Sequence, residues 1–321
     1  MKRIAGLVCA LVMSFAACAQ SGKVYRIGLL ETTSASANRT NLDALLRGLR
    51  EAGYVEGQNI VIDYRSVDGR SERFAELAAD LVRAKPDVII TRGTAATLAA
   101  RNAGSIPIVM TSSADPVGSH VVASLAKPGG HVTGLTSIIS ELDAKRVEIL
   151  KQLLPDAKRF AVLLNMGNPV SAGQRKPIEQ AASSLGLEPL FFDVRDPEGL
   201  RGAFDAAAKQ GARAVIDDTD AVSSANPRLV IDPATSHKLP VIFVNRNYVE
   251  AGGFMSYGVH YPHLYYRAAS YVDRILKGAK AGDLPVERPT KVEFVINLKT
   301  AKALGIAIPR ELMLRADEVI Q

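Results

Sequence analysis

The stretch VYRIGLLETTSASANRTNLDALLRGLREAGYVEGQNIVIDY, residues 24–64, changes its hydrophobic period twice. Tyr25 to Leu30 is an apolar run of strand length, and Leu42, Leu45, Leu46 and Leu49 then fall on one face of a helix. Gly53 ends that helix, and Ile60 to Tyr64 has the branched and aromatic content of a second strand. Strand, helix and strand at this spacing predict a βαβ unit in a parallel sheet.

Outward from that unit the pattern continues. Phe74, Leu77, Ala78, Leu81 and Val82 mark a helix that stops before Pro86, and Val88 to Ile90 is a third strand. A helix start at Gly93 and strands at Ile106 to Met110 and near Val132 to Leu135 complete one lobe. After a helix at Glu141 to Leu154, a second series follows, with strands at 160–164, 190–194, 214–217 and 241–244 and helices over 170–185, 197–210 and 224–237. The fold expected is α/β, two Rossmann-like lobes with parallel central sheets, repeated in pattern but not in sequence.

The C-terminal part exceeds what the second lobe needs. Gly252-Gly253 introduces a strand at Phe254 to Val259, a helix follows from Pro262 to Lys277, and Pro285 and Pro289 punctuate a link to Val292 to Ile296. Sending 254–277 back to the first sheet and 292 onward to the second gives three crossovers, which make a hinge. One lobe would then be 24–138 plus 254–283, and the other 139–253 plus 284–321.

Lys2 and Arg3 precede an apolar run from Ile4 to Ala17, shorter than the roughly 20 residues a membrane span requires. The pattern is that of a secretory signal over residues 1–19. Ala17-Cys18-Ala19 fits a small-x-small cleavage site, whereas Phe15-Ala16-Ala17-Cys18 resembles a lipobox that would leave a lipid anchor on Cys18. Export to the periplasm follows from either. The cysteines are Cys9 and Cys18, so cleavage after Ala19 leaves no thiol, disulfide or cysteine metal site. The formal charge of +6 falls to +4 without Lys2 and Arg3, and no basic run suggests nucleic acid.

In an open parallel sheet the residues just beyond the strand ends meet the ligand. Those here are polar: Thr32 and Thr33 after the first strand, Gly93, Thr94 and Ala95 after the third, Ser113 and Asp115 after the fourth. The second lobe offers Asn165, then Asp217, Asp218 and Asp220, then Asn245. Gly93-Thr94-Ala95 presents a glycine-led helix start suited to a carboxylate, unless Thr94 simply caps the helix. One of the three Asp residues, taken as Asp218, suits a ligand ammonium, although Asp is equally a turn residue. Asp115 before Pro116 also reads as a turn, and Arg246 pairs either with a ligand or with Glu250. Tyr257, Tyr261, Tyr265 and Tyr266 form a cluster of which Tyr257 is taken as a stacking wall.

The first βα turn lacks GxGxxG, and no P-loop, GxSxG or HExxH motif occurs. Neither a cofactor nor a metal site is expected, and the polar loops point to binding without catalysis.

Several long stretches resemble the family of ABC-transporter substrate-binding proteins with the type I periplasmic-binding fold, which includes tryptophan- and tyrosine-binding members. They are GLREAGYVEGQNIVIDYR from Gly48, ELAADLVRAKPDVIITRGTAA from Glu76, ADPVGSHVVASLAKPGGHVTGLTS from Ala114, VEAGGFMSYGV from Val249 and LPVERPTKVEFVINLKTAKALGIAIP from Leu284. The resemblance implies a monomeric two-lobed receptor that closes on a small ligand, such as an amino acid or related carboxylate, and delivers it to an ABC permease. Its pocket would draw on the loops at Thr32-Thr33, Gly93-Thr94-Ala95, Ser113 to Asp115, Asn165, Asp218 and Asn245. Residues 223–232 depart from the family pattern. An envelope sensor built on the same domain is the alternative, and an enzyme using a clustered Asp as base has neither cofactor fingerprint nor nucleophile to support it.

Overall fold

The computed structural model describes residues 23–218 and 221–321. The signal segment 1–19 with Cys18, and Asp220, lie outside the described residues. Two sheets form. The first has the order β2-β1-β3-β4-β5, built from β1 (Tyr25–Glu31), β2 (Ile60–Ser66), β3 (Val88–Arg92), β4 (Ile108–Ser112) and β5 (Val132–Gly134), all parallel. Its inner strands β1, β3 and β4 are buried on both faces, as the unbroken runs Ile27–Leu30 and Val88–Ile90 require, while the edge strand β2 is only partly covered. Leu45 and Leu49 of α1 (Arg39–Glu51) cover one face, and α2 (Phe74–Arg83) and α3 (Thr94–Ala103) cover the other.

The second sheet has seven strands in the order β12-β11-β10-β9-β8-β6-β7. They are β6 (Arg159–Leu164), β7 (Glu188–Asp193), β8 (Val215–Asp217), β9 (Val241–Phe243), β10 (Met255–Val259), β11 (Val292–Asn297) and β12 (Glu318–Ile320). Around it lie α4 (Ile139–Leu153), α5 (Ser171–Ser184), α6 (Pro197–Lys209), α7 (Ala221–Ala225), α8 (Arg228–Ser236) and α9 (Arg246–Glu250). The one helix expected over 224–237 is two, because the chain turns at Asn226-Pro227, where Pro227 supplies no N–H.

The C-terminal expectation needs correction. The strand at 255–259 stays in the second sheet, parallel to β9, and the return to the first lobe begins with α10 (Tyr261–Leu276), which packs on α1. The crossing therefore falls at His260 and not at Phe254. The second sheet is also not wholly parallel, since β11 runs antiparallel to β10 with Val292 opposite Val259. The cause is the excursion itself: the chain leaves this sheet at the end of β10 and re-enters beside the point where it left, so the returning strand must run the other way. The remaining tail forms α11 (Leu298–Leu304), α12 (Arg310–Arg315) and β12, none of them expected.

Three segments cross between the lobes, at 135–138, at His260 and at 284–291. Ile138, in the first of them, has φ 46°, an uncommon conformation for a β-branched residue. Strand order reverses on either side of β1 and β3 in one sheet and of β6 and β8 in the other. Such switch points open a crevice at the carboxyl ends of the strands.

Candidate functional site

A cavity of about 600 Å³, part of it open to solvent, lies between the two switch points. From the first lobe come Thr32 after β1, Arg92, Gly93 and Thr94 at the β3–α3 turn, and Ser112 and Ala114 after β4. The second lobe contributes Asn168, Val170 and Gln174 around the start of α5, Asp218 after β8, Ser224 of α7, and Val244 and Asn245 after β9. Ser137 and Ile139 at one crossover and Tyr261 at another complete the walls.

The β3–α3 turn shows why sequence and site agree here. Gly93 is the N-cap with φ 87° and ψ 162°, a backbone that side chains rarely allow, and no side chain caps the helix. Thr94 does not act as the cap: its hydroxyl is hydrogen-bonded to that of Ser113 at 2.9 Å. The first N–H groups of α3 thus face the cavity with the positive end of the helix dipole. Beside them Arg92 is 8 % exposed, with its guanidinium 4.9 Å from the ring centroid of Tyr261.

The opposite wall carries a second charged group. Arg146 of α4 is fully buried; its Nη1 donates to Asp143 and, at 3.2 Å, to Asp218 Oδ1, and its Nε donates to the Tyr257 carbonyl at 2.9 Å. Burial, reinforced by the Asp218 carboxylate, pushes Asp143 well above the usual carboxylate range. Burial also raises Asp218, against the pull of Arg146. Both raised carboxyls thus share the one guanidinium of Arg146. Asp218 Oδ2 is buried and has no partner among the described residues.

Behind the first wall, Glu31 is fully buried at the end of β1 and accepts a hydrogen bond from the Tyr265 hydroxyl at 2.7 Å. Burial pushes its carboxyl up to about 7, opposed by Arg92 and by the Tyr265 hydroxyl.

Of the residues expected from strand-end position, Thr32, Gly93, Thr94, Asp218 and Asn245 line the cavity. Asn245 also caps α9, its Oδ1 accepting from Asn247 N at 3.0 Å. Thr33, Ala95, Ser113 and Asn165 adjoin lining residues without lining the cavity themselves; Ser113 backs Thr94 and Asn165 Oδ1 accepts from Gly167 N. Asp115 is exposed and its carboxylate accepts from Gly118 N at 2.8 Å, which is the turn role. Arg246 is taken up by Glu250, at 2.8 Å, and by Glu318. The Tyr257 ring packs edge-on against Phe294 and does not line the cavity, whereas Tyr261 does. Gln174, Asp143 and Arg146 carry no strand-end signal, because they project from within helices.

The lobes also touch beyond the cavity. Ala221 of α7 is buried in the same cluster as Val67 and Phe74 of the first lobe. At Gly69 a Cβ would lie 3.1 Å from Ala225 Cβ and 3.4 Å from the Ala221 carbonyl, so the approach of α7 depends on the missing side chain.

A polar cavity held between the strand ends of two α/β lobes, with three crossing segments, defines a two-lobed solute-binding protein of the type I periplasmic-binding class. The model of the family described as ABC transporter substrate binding protein matches residues 26–320, and the chain belongs to that family. It is 30% identical over 262 residues to a tyrosine-binding protein of Clostridioides difficile (strain R20291), covering 81% of this chain and 75% of the relative. A Streptococcus pneumonia ABC domain in complex with L-Trp matches at 27% identity and TM-score 0.84, over 93% of this chain and all of the other. The ligand-free, open structure of a substrate-binding protein with adhesive properties from Clostridium difficile matches at 26% identity but TM-score 0.64, over the same shares. No helix among the described residues is long and apolar enough to cross a membrane.

Proposed function

We propose that this chain is the periplasmic receptor of an ABC importer, binding one amino acid between its lobes, with aromatic side chains preferred, and presenting it to a permease without chemical change. The observation that carries this is the pairing of poles in one cavity. The uncapped start of α3 with Thr94 suits a carboxylate, and the unpartnered Oδ2 of Asp218 on the facing lobe suits an ammonium. Tyr261 lines the same cavity and offers an aromatic face. The tyrosine-binding relative and the L-Trp complex support an aromatic ligand. The nearer match to that complex than to the open, ligand-free structure supports reading the present lobe arrangement as the closed one. Closure is driven by the extra contacts a ligand makes with the second wall.

Mass spectrometry of small molecules released from the purified, denatured protein tests the ligand class, and calorimetry with L-tyrosine, L-tryptophan and L-phenylalanine tests affinity. Binding is expected with a Kd of roughly micromolar or tighter. Thr94→Val and Asp218→Asn should each weaken it, by about 1 and 2 kcal/mol respectively. Unchanged affinity in both variants would overturn the assignment of the poles, and no response to any amino acid would overturn the ligand class.

A further inference from the structure

Arg92 is an unusual buried cation. Among the described residues no carboxylate oxygen comes within 4.0 Å of its nitrogens, and its hydrogen bonding is a single long contact, Nη1 to Asn38 Oδ1 at 3.4 Å. Asn38 Oδ1 is already engaged by Asn41 Nδ2 at 2.8 Å. Glu31, the nearest compensating charge, is held by Tyr265 on one oxygen and leaves its Oε2 without a partner, so it balances Arg92 through space and not through contact. A guanidinium stays charged under all ordinary conditions and offers five N–H donors in a planar fork. Burying it with most donors unused is costly, and a purely structural arginine is expected to be paired.

We infer that Arg92 is the residue that makes this site selective for a carboxylate, holding the ligand's carboxylate oxygens with the N–H groups that the protein leaves unused. It rests on the cavity being an amino-acid site. Three placements favour this role over a structural one. Arg92 directly precedes Gly93 and Thr94, so its fork and the uncapped N–H groups of α3 line the same wall. Its guanidinium lies over the Tyr261 ring, which fixes the plane of the fork without using its donors. Tyr261 and Asp218 line the same cavity as Arg92, so the fork and the acidic residue on the facing lobe are both within one ligand site, as the two ends of a zwitterion would need. An α3 terminus alone attracts any oxygen-rich end group, whereas a buried, charged fork separates a carboxylate from its neutral amide.

The test is a comparison of acids with their amides. At about pH 6, where the ammonium of all four is charged, L-tyrosine and L-tryptophan share the ammonium and the ring with L-tyrosinamide and L-tryptophanamide, in which a neutral amide replaces the carboxylate. Calorimetry should show the wild type preferring each acid over its amide on the order of 100-fold. In Arg92→Met, and in Arg92→Gln should the first variant not fold, that ratio should collapse to a few-fold, chiefly through loss of acid affinity. Thermal melts of the ligand-free variants report folding. A wild type that binds acid and amide alike overturns the role of Arg92 and leaves the amino-acid site standing, as does a ratio that persists in both variants. A wild type that binds neither overturns the amino-acid site and this inference with it.

Discussion

Two buried arginines flank the same cavity and are treated in opposite ways. Arg146 is sealed from solvent, binds two carboxyls and a backbone carbonyl, and so ties the end of β8 to α4 and to the last strand before the crossing at His260. Arg92 keeps a little exposure, touches no carboxylate and makes one long hydrogen bond. Arg146 too keeps one buried donor without a partner, its Nη2, but only Arg92 lines the cavity, where a donor left over is available to a ligand.

The largest test of that contrast is the stability of Arg146→Met. Removing the guanidinium leaves Asp143 and Asp218 buried without their shared cation, at a cost of about 3–5 kcal/mol. Chemical denaturation of the ligand-free protein measures it. Arg92→Met breaks no ion pair and should cost much less. Equal losses in the two variants would erase the distinction between a structural and a recognising arginine.

A somewhat smaller effect should follow from the carboxyl that Arg92 does not touch. Glu31 is raised by burial from 4.5 to about 7. Below pH 4.5 it is protonated in folded and unfolded chains alike, and its neutral burial costs least there. Between the two values the unfolded chain ionises first, so stability from this group is lost as pH rises towards 7. The difference amounts to roughly 3 kcal/mol across that window. Asp143 and Asp218 shift in the same direction, so the clean measurement is the difference between wild type and Glu31→Gln in unfolding free energy at pH 5 and pH 8. The wild type should lose more stability over that range than Glu31→Gln does; parallel profiles would show that Glu31 ionises as readily in the folded chain as in the unfolded one.

The contrast also explains what was legible in the sequence. Strand ends are marked by apolar runs that stop, so Thr32, Thr94, Asp218 and Asn245 are found by position, because switch-point geometry places strand ends at the crevice. Arg146 and Asp143 sit three apart within α4, where any i, i+3 pair reads as a solvated helix face, and only the lobe packing shows that this face is buried. Tyr257 and Tyr261 cannot be told apart by spacing, since the crossing at His260 separates them into different lobes. The place of that crossing is hidden in the sequence for a physical reason: a run such as Phe254 to Val259 has the same pattern whichever sheet receives it, and only the antiparallel return of β11 records that β10 stays behind.

The contact of α7 with the first lobe yields the smallest effect, and it asks whether the two walls are brought together by the charged groups alone. Gly69, at φ 83°, lets Ala221 and Ala225 approach the first lobe with no side chain between. Ala225→Leu adds three carbons at the seam while leaving Arg92, Arg146 and Asp218 untouched. Overpacking such a contact costs about 1 kcal/mol. The cost falls on the closed arrangement only, because separated lobes leave room for the larger residue. Ligand-free thermal stability should therefore stay near that of the wild type, affinity for L-tyrosine or L-tryptophan should fall about fivefold, and small-angle scattering with ligand should retain part of the extended form. If affinity holds while the melting temperature drops, α7 is a fixed part of the lobe interface, and closure of the cavity depends on its charged walls and not on this seam.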